Sequence, residues 1–201
     1  KKLIQIIKSL EPTFGGINLE DIKAPECFEI EQTLKREMKI PVMHDDQHGT
    51  AIITGAALLN ALELVEKKIE DIRMVVSGAG AAAISCLRFY LSLGVKKEHI
   101  VVCDKDGVIR TDRPGLAGEH IEFATSQNFH TIAEAMPGAD VFLGLSAGNI
   151  ISPDLIQSMA ANPIVFALAN PDPEIAYETA LAAREDVLMA TGRSDHPNQV
   201  N

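Results

Sequence analysis

The chain has 201 residues, 46% hydrophobic and 23% charged, which suits one globular α/β body with a substantial core and excludes a disordered or fibrous chain. Its formal charge of −10 argues against a nucleic-acid surface, because phosphate contacts need clustered Lys and Arg; any anionic ligand must therefore be met by local positive features or a metal. No apolar run reaches membrane-spanning length and no basic, then hydrophobic, leader opens the chain, so neither a bilayer nor a secretory route is indicated, and a cytoplasmic location is expected. Cys27, Cys86 and Cys103 lack C-x-x-C spacing and read as reduced core thiols.

The chain opens on Lys1-Lys2 already in a helical pattern (Leu3, Ile6, Ile7, Leu10), which reads as a piece of a longer polypeptide. A glycine turn, Thr13 to Gly16, leads into the short extended stretch Ile17 to Ile22, which includes two adjacent acids, Glu20 and Asp21. Pro25 starts a helix to about Met38 with Cys27, Ile30, Leu34 and Met38 on one face. Ile40 to Met43 reads as a strand, and Thr50 to Lys67 as a long helix with Ile53, Ala57, Leu58, Ala61, Leu62 and Val65 as its stripe and Asp45 or Asp46 as its cap.

From Arg73 the pattern changes. Met74-Val75-Val76 is a brief β-branched run, read as a buried parallel strand. Ser77-Gly78-Ala79-Gly80-Ala81-Ala82-Ala83 then matches G-x-G-x-x-G/A, the spacing that brings backbone amides up to a pyrophosphate at a helix N-terminus. The helix carries Ile84, Leu87, Tyr90 and Leu91 and stops at Gly94. A second strand, Ile100 to Cys103, ends in Asp104, about twenty residues past the motif, where an acid accepts hydrogen bonds from the adenosine ribose. The stretch from Gly107 to Gly118 is polar and turn-rich.

Further strands are expected at Asp140 to Leu145, Ile164 to Leu168 and Val187 to Ala190, with helices at Ile132 to Met136, Pro153 to Ala160 and Tyr177 to Arg184. This alternation predicts a Rossmann-like, doubly wound parallel sheet, with residues 1–47 as a segment leading into a nucleotide-binding domain at 48–201. Gly78-Ala79-Gly80, Asp104, Ser146 to Asn149, Asn170 to Asp172 and Thr191 to Arg193 each lie just beyond a strand and should share one crevice.

Two acidic pairs, Glu20-Asp21 and Asp45-Asp46, are separated by one helix and one strand. Oxygen ligands without cysteine suit Mg²⁺ or Mn²⁺; His44 and His48 keep a zinc or iron alternative open, and a plain helix cap or solvated turn is the bland one. GGINLEDI, VMHDDQHGTA, SGAGAAA, ALANPDPE and TGRSDHPNQVN, in that order, resemble the malic enzymes, particularly the bacterial NADP-type branch fused to a phosphotransacetylase-like region. The resemblance implies oxidative decarboxylation of (S)-malate to pyruvate and CO₂ with NAD or NADP and a divalent cation, in an enzyme that assembles as a homo-oligomer. It also implies Glu20, Asp21 and Asp46 as metal ligands and Asp45 as the acid beside the catalytic lysine. Asn170 and Asn201 are implied near nicotinamide and substrate, and Gly78, Ala79, Gly80, Ala81, Ala83, Asp104, Ser146 and Asn170 line the cofactor site.

The family's lysine base and tyrosine acid belong upstream of Lys1, so this chain alone is expected to bind cofactor and turn over malate poorly. Tyr90 and Tyr177 read as structural, and Lys23 as a solvated lysine. Asp104 and Asp106 repel a 2′-phosphate and lean to NAD, with Lys105 and Arg110 as possible compensation, while the resembled branch leans to NADP. A metal-independent amino-acid or hydroxy-acid dehydrogenase and a non-catalytic nucleotide sensor are the alternatives.

Overall fold

A computed structural model of the protein describes residues 1–23, 25–116 and 118–200. Two sheets organise it. Strands β1 (Ile17–Leu19) and β2 (Val42–His44) pair in parallel beside helices α1 (Lys2–Ser9) and α2 (Glu26–Glu37), around a small core of Ile7, Leu19, Leu34, Met38 and Val42. Helix α3 (Asp45–Leu64) leaves this unit and packs on α4 (Ala81–Leu93) of the larger one.

The larger sheet has six strands in the order β5-β4-β3-β6-β7-β8. These are β3 (Met74–Ser77), β4 (Ile100–Asp104), β5 (Gly107–Val108), β6 (Val141–Gly144), β7 (Ile164–Ala167) and β8 (Leu188–Thr191). Neighbours are parallel except β5, which runs antiparallel to β4. That edge strand falls in the polar stretch expected to be only turns. Its two residues are too few to produce a hydrophobic period, and its place is set by pairing with Cys103 and Asp104.

Side chains alternate across this sheet. Met74, Val76, Ile100, Val102, Val141, Leu143, Ile164 and Phe166 face one layer of core with α3 and α4. Val75, Val101, Cys103, Phe142, Val165, Ala167 and Met189 face the other, with α5 (Ile132–Ala135), α6 (Pro153–Ser158) and α7 (Tyr177–Ala183). Burial on both faces is why these strands read as unbroken apolar runs. The doubly wound α/β expectation holds.

Chain direction reverses its progress between β3 and β6: from β3 the order runs outward to β4 and β5, then returns to lay β6 on the other side of β3. Such a switch point leaves a crevice at the strands' carboxyl ends.

Helix α3 departs from expectation at its start. It begins at Asp45, so Asp45 and Asp46 lie in its first turn, His44 is its N-cap residue, and no side chain caps it. Acids in the first turn still suit the helix dipole, so the cap and the helix interior look alike in sequence. Its buried face is Ala51, Thr54, Leu58, Ala61 and Leu62; Ile53, expected inside, is 40% exposed. Gly55 explains the shift, because a Cβ there would overlap the Phe89 ring of α4, and this close approach turns that side of α3 inward.

Helix α4 ends at Gly94 as expected, at φ +117. Cys27, Cys86 and Cys103 are all free and buried, and burial pushes the Cys103 thiol up to about 12. No helix among the described residues is long and apolar enough to cross a membrane.

Arg184 ties α6 to the loop before β8. Its guanidinium donates to the Met159 carbonyl at 2.8 Å, and to the Ile156 and Gln157 carbonyls at longer range, while pairing with both oxygens of Asp186 at 2.8 and 2.7 Å. The Arg184 pairing, with the Asn162 amide, brings the Asp186 carboxyl down to about 2 from 3.8. Because the folded value is depressed, this stabilisation is complete above the ordinary carboxylate range and is lost as pH falls from 3.8 toward about 2. Arg184→Ala should therefore cost about 1–2 kcal/mol in denaturant unfolding at neutral pH, and the gap between wild type and Asp186→Asn should narrow in acid below that range. A gap that widens there would refute this reading.

Candidate active site

The crevice is built by loops pressed together more tightly than side chains allow. Gly78 follows β3 at φ +111, where L side chains are strained, and a Cβ on it would collide with the Leu145 carbonyl of the β6 loop. Its amide donates to the Cys103 carbonyl at 2.8 Å, and the Leu145 amide donates to the Ser77 carbonyl at 2.8 Å. Ser77 Oγ and Ser146 Oγ share a hydrogen bond of 2.8 Å across the switch point.

Beyond Gly78, Ala79 and Gly80 bring the chain to the N-terminus of α4. Nothing lies within 4 Å of a Cβ built on Gly80, so the approach to the first turn is open. Gly80 is the N-cap residue, no side chain caps the helix, and its first turn, beginning Ala81, Ala82 and Ala83, holds no acid. Unsatisfied amides and the positive end of the helix dipole therefore face the crevice, the arrangement that binds a pyrophosphate. His120 Nε2 meets the Ala79 carbonyl at 3.0 Å and braces the turn from outside.

Asp104 ends β4 on the same rim, but its carboxylate is engaged. Arg113 pairs with both of its oxygens at 2.9 and 2.8 Å, and the Asp106 amide donates to it at 2.8 Å. Burial works against the charge, yet the guanidinium and the amide outweigh it and hold the carboxyl below its ordinary range. Arg113, not the Lys105 or Arg110 named from sequence, is the cation at this acid. Arg110 turns to Asp112 at 2.8 Å instead. Position 113 lies in a turn-rich stretch with no periodicity, so no sequence signal located it.

On the other side of the switch point, Ser146 and Asn170 stand at the exits of β6 and β7. Asn170 is exposed, precedes a cis bond to Pro171, and lies against Gly192 at the exit of β8. Arg193 donates to the Pro171 carbonyl at 3.1 Å, joining those two exits. All five rim motifs thus gather along one edge of the sheet.

The acidic pairs sit beside β1 and β2. The Asp21 amide donates to Asp46 Oδ2 at 3.0 Å, so the two pairs adjoin across the β1 and α3 junction. Asp21 holds φ +56, a conformation non-glycine residues rarely adopt and one that functional turns retain. Glu20 accepts from Asn18 at 3.2 Å. Asp45 leans over Gly49, where a Cβ would collide with its carboxylate. Among the described residues no group of three His, Cys, Asp or Glu side chains is gathered around one point.

His44 is buried with Nε2 3.7 Å from Asp46 Oδ2. His48 pairs with Glu31 at 2.9 Å. Lys23 is exposed and its ammonium lies 3.7 Å from Glu26. Tyr90 is fully buried, and the half-buried Tyr177 ring lies obliquely against His196. Asn201 lies outside the described residues.

Family comparisons agree with this geometry. A family model described as "Malic enzyme, NAD binding domain" matches residues 47–201, and one described as "Malic enzyme, N-terminal domain" matches residues 1–35. The chain is 58% identical to an NADP-dependent malic enzyme of Haemophilus influenzae and 53% identical to an NAD-dependent malic enzyme of Rhizobium meliloti. It is covered completely in both cases, and spans 27% and 26% of those proteins. The crystal structure of an NAD-dependent malic enzyme from Thermotoga maritima superposes with a TM-score of 0.91 at 50% identity, covering 100% of this chain and 54% of that one. The chain therefore belongs to the malic enzyme family, and most of its length is that family's NAD-binding domain.

Proposed function

We propose that this chain supplies the dinucleotide site and the divalent-cation ligands of an enzyme that converts (S)-malate to pyruvate and CO₂ by oxidative decarboxylation. The observation that carries the proposal is the uncapped N-terminus of α4, opened by Gly78 and Gly80 at the switch between β3 and β6. In this reading residues 48–201 form the cofactor domain, with Gly78, Ala79, Gly80, Ala81, Ala83, Asp104, Ser146 and Asn170 lining the site. Residues 1–47 bring Glu20, Asp21 and Asp46 as ligands for Mg²⁺ or Mn²⁺, with Asp45 in a supporting role.

The nucleotide fits: open backbone amides suit its phosphates, and the rim runs on from there to Ser146 and Asn170. The cation's support is narrower. It rests on the hard-oxygen donors and on the contact between Asp21 and Asp46, and no step is derived through it. When bound, the nicotinamide would take the hydride from malate C2 and the cation would supply Lewis acidity at the oxygen on that carbon. The chain's own part is to anchor and orient. The α4 amides hold the phosphates, Asp104 and Arg113 hold the adenosine ribose, and Asn170 donates its amide toward the nicotinamide and substrate. Homo-oligomeric assembly and a cytoplasmic location belong to the same reading.

Arg113 pairs with Asp104 at 2.8 Å and reaches Asp106 at 3.4 Å, so its guanidinium offsets part of the charge that would repel a 2′-phosphate. Relatives of both names agree with that. Removing the guanidinium leaves a bare carboxylate facing the phosphate, so Arg113→Ala should lower the NADP-to-NAD ratio of kcat/KM about tenfold, roughly 1.4 kcal/mol. An unchanged ratio would remove Arg113 from cofactor selection.

Malate-dependent nicotinamide reduction by the longer polypeptide with Mn²⁺, lost in EDTA, tests the reaction; activity of that polypeptide that survives chelation would favour a metal-independent dehydrogenase. Gly78→Ala should weaken dinucleotide binding more than about tenfold by calorimetry, because the strained φ and the Leu145 carbonyl force the loops apart. Asp46→Asn should weaken Mn²⁺ binding, read by electron paramagnetic resonance, by about tenfold or more; full affinity in that variant would eliminate Asp46 as a ligand.

A further inference from the structure

Glu174 has no role in the readings above, although it closes the ALANPDPE motif. It is a carboxylate with 0% exposure and, with Glu31, one of two buried acids among the described residues. Burial pushes its carboxyl above the ordinary value, so the fold bears a cost to keep it. What it touches indicates why.

Oε1 accepts from the Ser146 amide at 2.9 Å, with the Ser146 hydroxyl at 3.5 Å, and Oε2 accepts from the Ala169 amide at 3.1 Å. One carboxylate thus bridges the backbone amides of the second residues beyond β6 and β7. The carboxylate lies against Gly144, where any Cβ would occupy its space. The backbone of the same segment reinforces the bridge: the Asn149 amide donates to the Pro173 carbonyl at 2.9 Å and the Ile151 amide to the Glu174 carbonyl at 3.0 Å. Gly148 is required there as well, since a Cβ on it would come within 2.7 Å of Asp172 Cβ and carbonyl oxygen.

The two loops so joined are those of Ser146 and Asn170, at the end of the crevice away from Asp104. The phosphate turn depends on them only through the Ser77 hydroxyl and the Leu145 backbone. The adenosine and phosphate half of a dinucleotide therefore rests on elements Glu174 does not touch, and the nicotinamide half rests on elements it does.

We propose that Glu174 is a positioning residue for the nicotinamide half of the cofactor, holding the Ser146 and Asn170 loops at a fixed separation by accepting one amide from each. This rests on the functional reading above. Glutamine at 174 keeps the volume but offers one acceptor oxygen and one NH₂ group to two facing N–H donors, so one loop must be released.

The test is calorimetric titration of wild-type and Glu174→Gln protein with NADH or NADPH and with the matching ADP-ribose that lacks nicotinamide. Thermal unfolding establishes that the variant is folded. The expected result is a loss of dinucleotide affinity of about tenfold with ADP-ribose affinity kept within about twofold. A folded variant whose affinity ratio is unchanged overturns the proposal, as does wild-type protein that binds the two ligands equally. Wild-type protein that binds neither overturns the functional reading instead.

If Glu174→Gln does not fold, amide hydrogen exchange on wild-type protein decides. Ser146 and Ala169 should gain protection with the dinucleotide and not with ADP-ribose, and equal protection by the two ligands overturns the proposal.

Discussion

Loops that approach one another too closely for a Cβ at the carboxyl end of the sheet are the constraint from which the rest follows. Gly78 against the Leu145 carbonyl, Gly144 against the Glu174 carboxylate and Gly148 against Asp172 leave no room for a Cβ. The loops are then fixed by side-chain hydrogen bonds: Ser77 to Ser146, Glu174 to Ser146 and Ala169, and Arg193 to Pro171. The chain of contacts crosses four strand exits without a break. Fixed loops are what an extended ligand needs, since each mobile one adds an ordering cost on binding.

Charge poses the second problem, because an acidic protein is to receive a polyanion. No basic patch is used. The phosphate end is served by the dipole and free amides of α4, with no acid in its first turn. The nearest carboxylate on the rim, Asp104, is matched by a bidentate guanidinium. Glu20, Asp21 and Asp46, where a cation is proposed, lie at the β1 and α3 junction, apart from the N-terminus of α4.

Much of this was legible in the sequence because the signals were local or periodic. Strands buried on both faces write themselves as apolar runs, and the glycine turn, the stop at Gly94 and the exits at Asp104 and Ser146 follow from short-range backbone chemistry. The start of α3 was misplaced because an acid that caps a helix and an acid inside its first turn share the same dipole preference. Ile53 was assigned inward because the stripe ignored Gly55, whose lack of a side chain draws Phe89 close. Strand β5, Arg113 and Glu174 depend on partners far along the chain, and no window of neighbouring residues contains that information. Resemblance named the acidic pairs, and the fold brings the Asp21 backbone amide onto the Asp46 carboxylate.

Helix α3 spans twenty residues, from Asp45 to Leu64, and seats its middle on α4 through the Gly55 and Phe89 contact. One end of this rod bears Asp45 and Asp46; the helix it lies on bears the phosphate turn. The separation between those two places is thus gauged by a stiff strut and not by flexible connections, so lengthening or shortening the surface loops leaves the spacing intact, whereas inserting a single residue within α3 rotates the acids by roughly 100° about its axis.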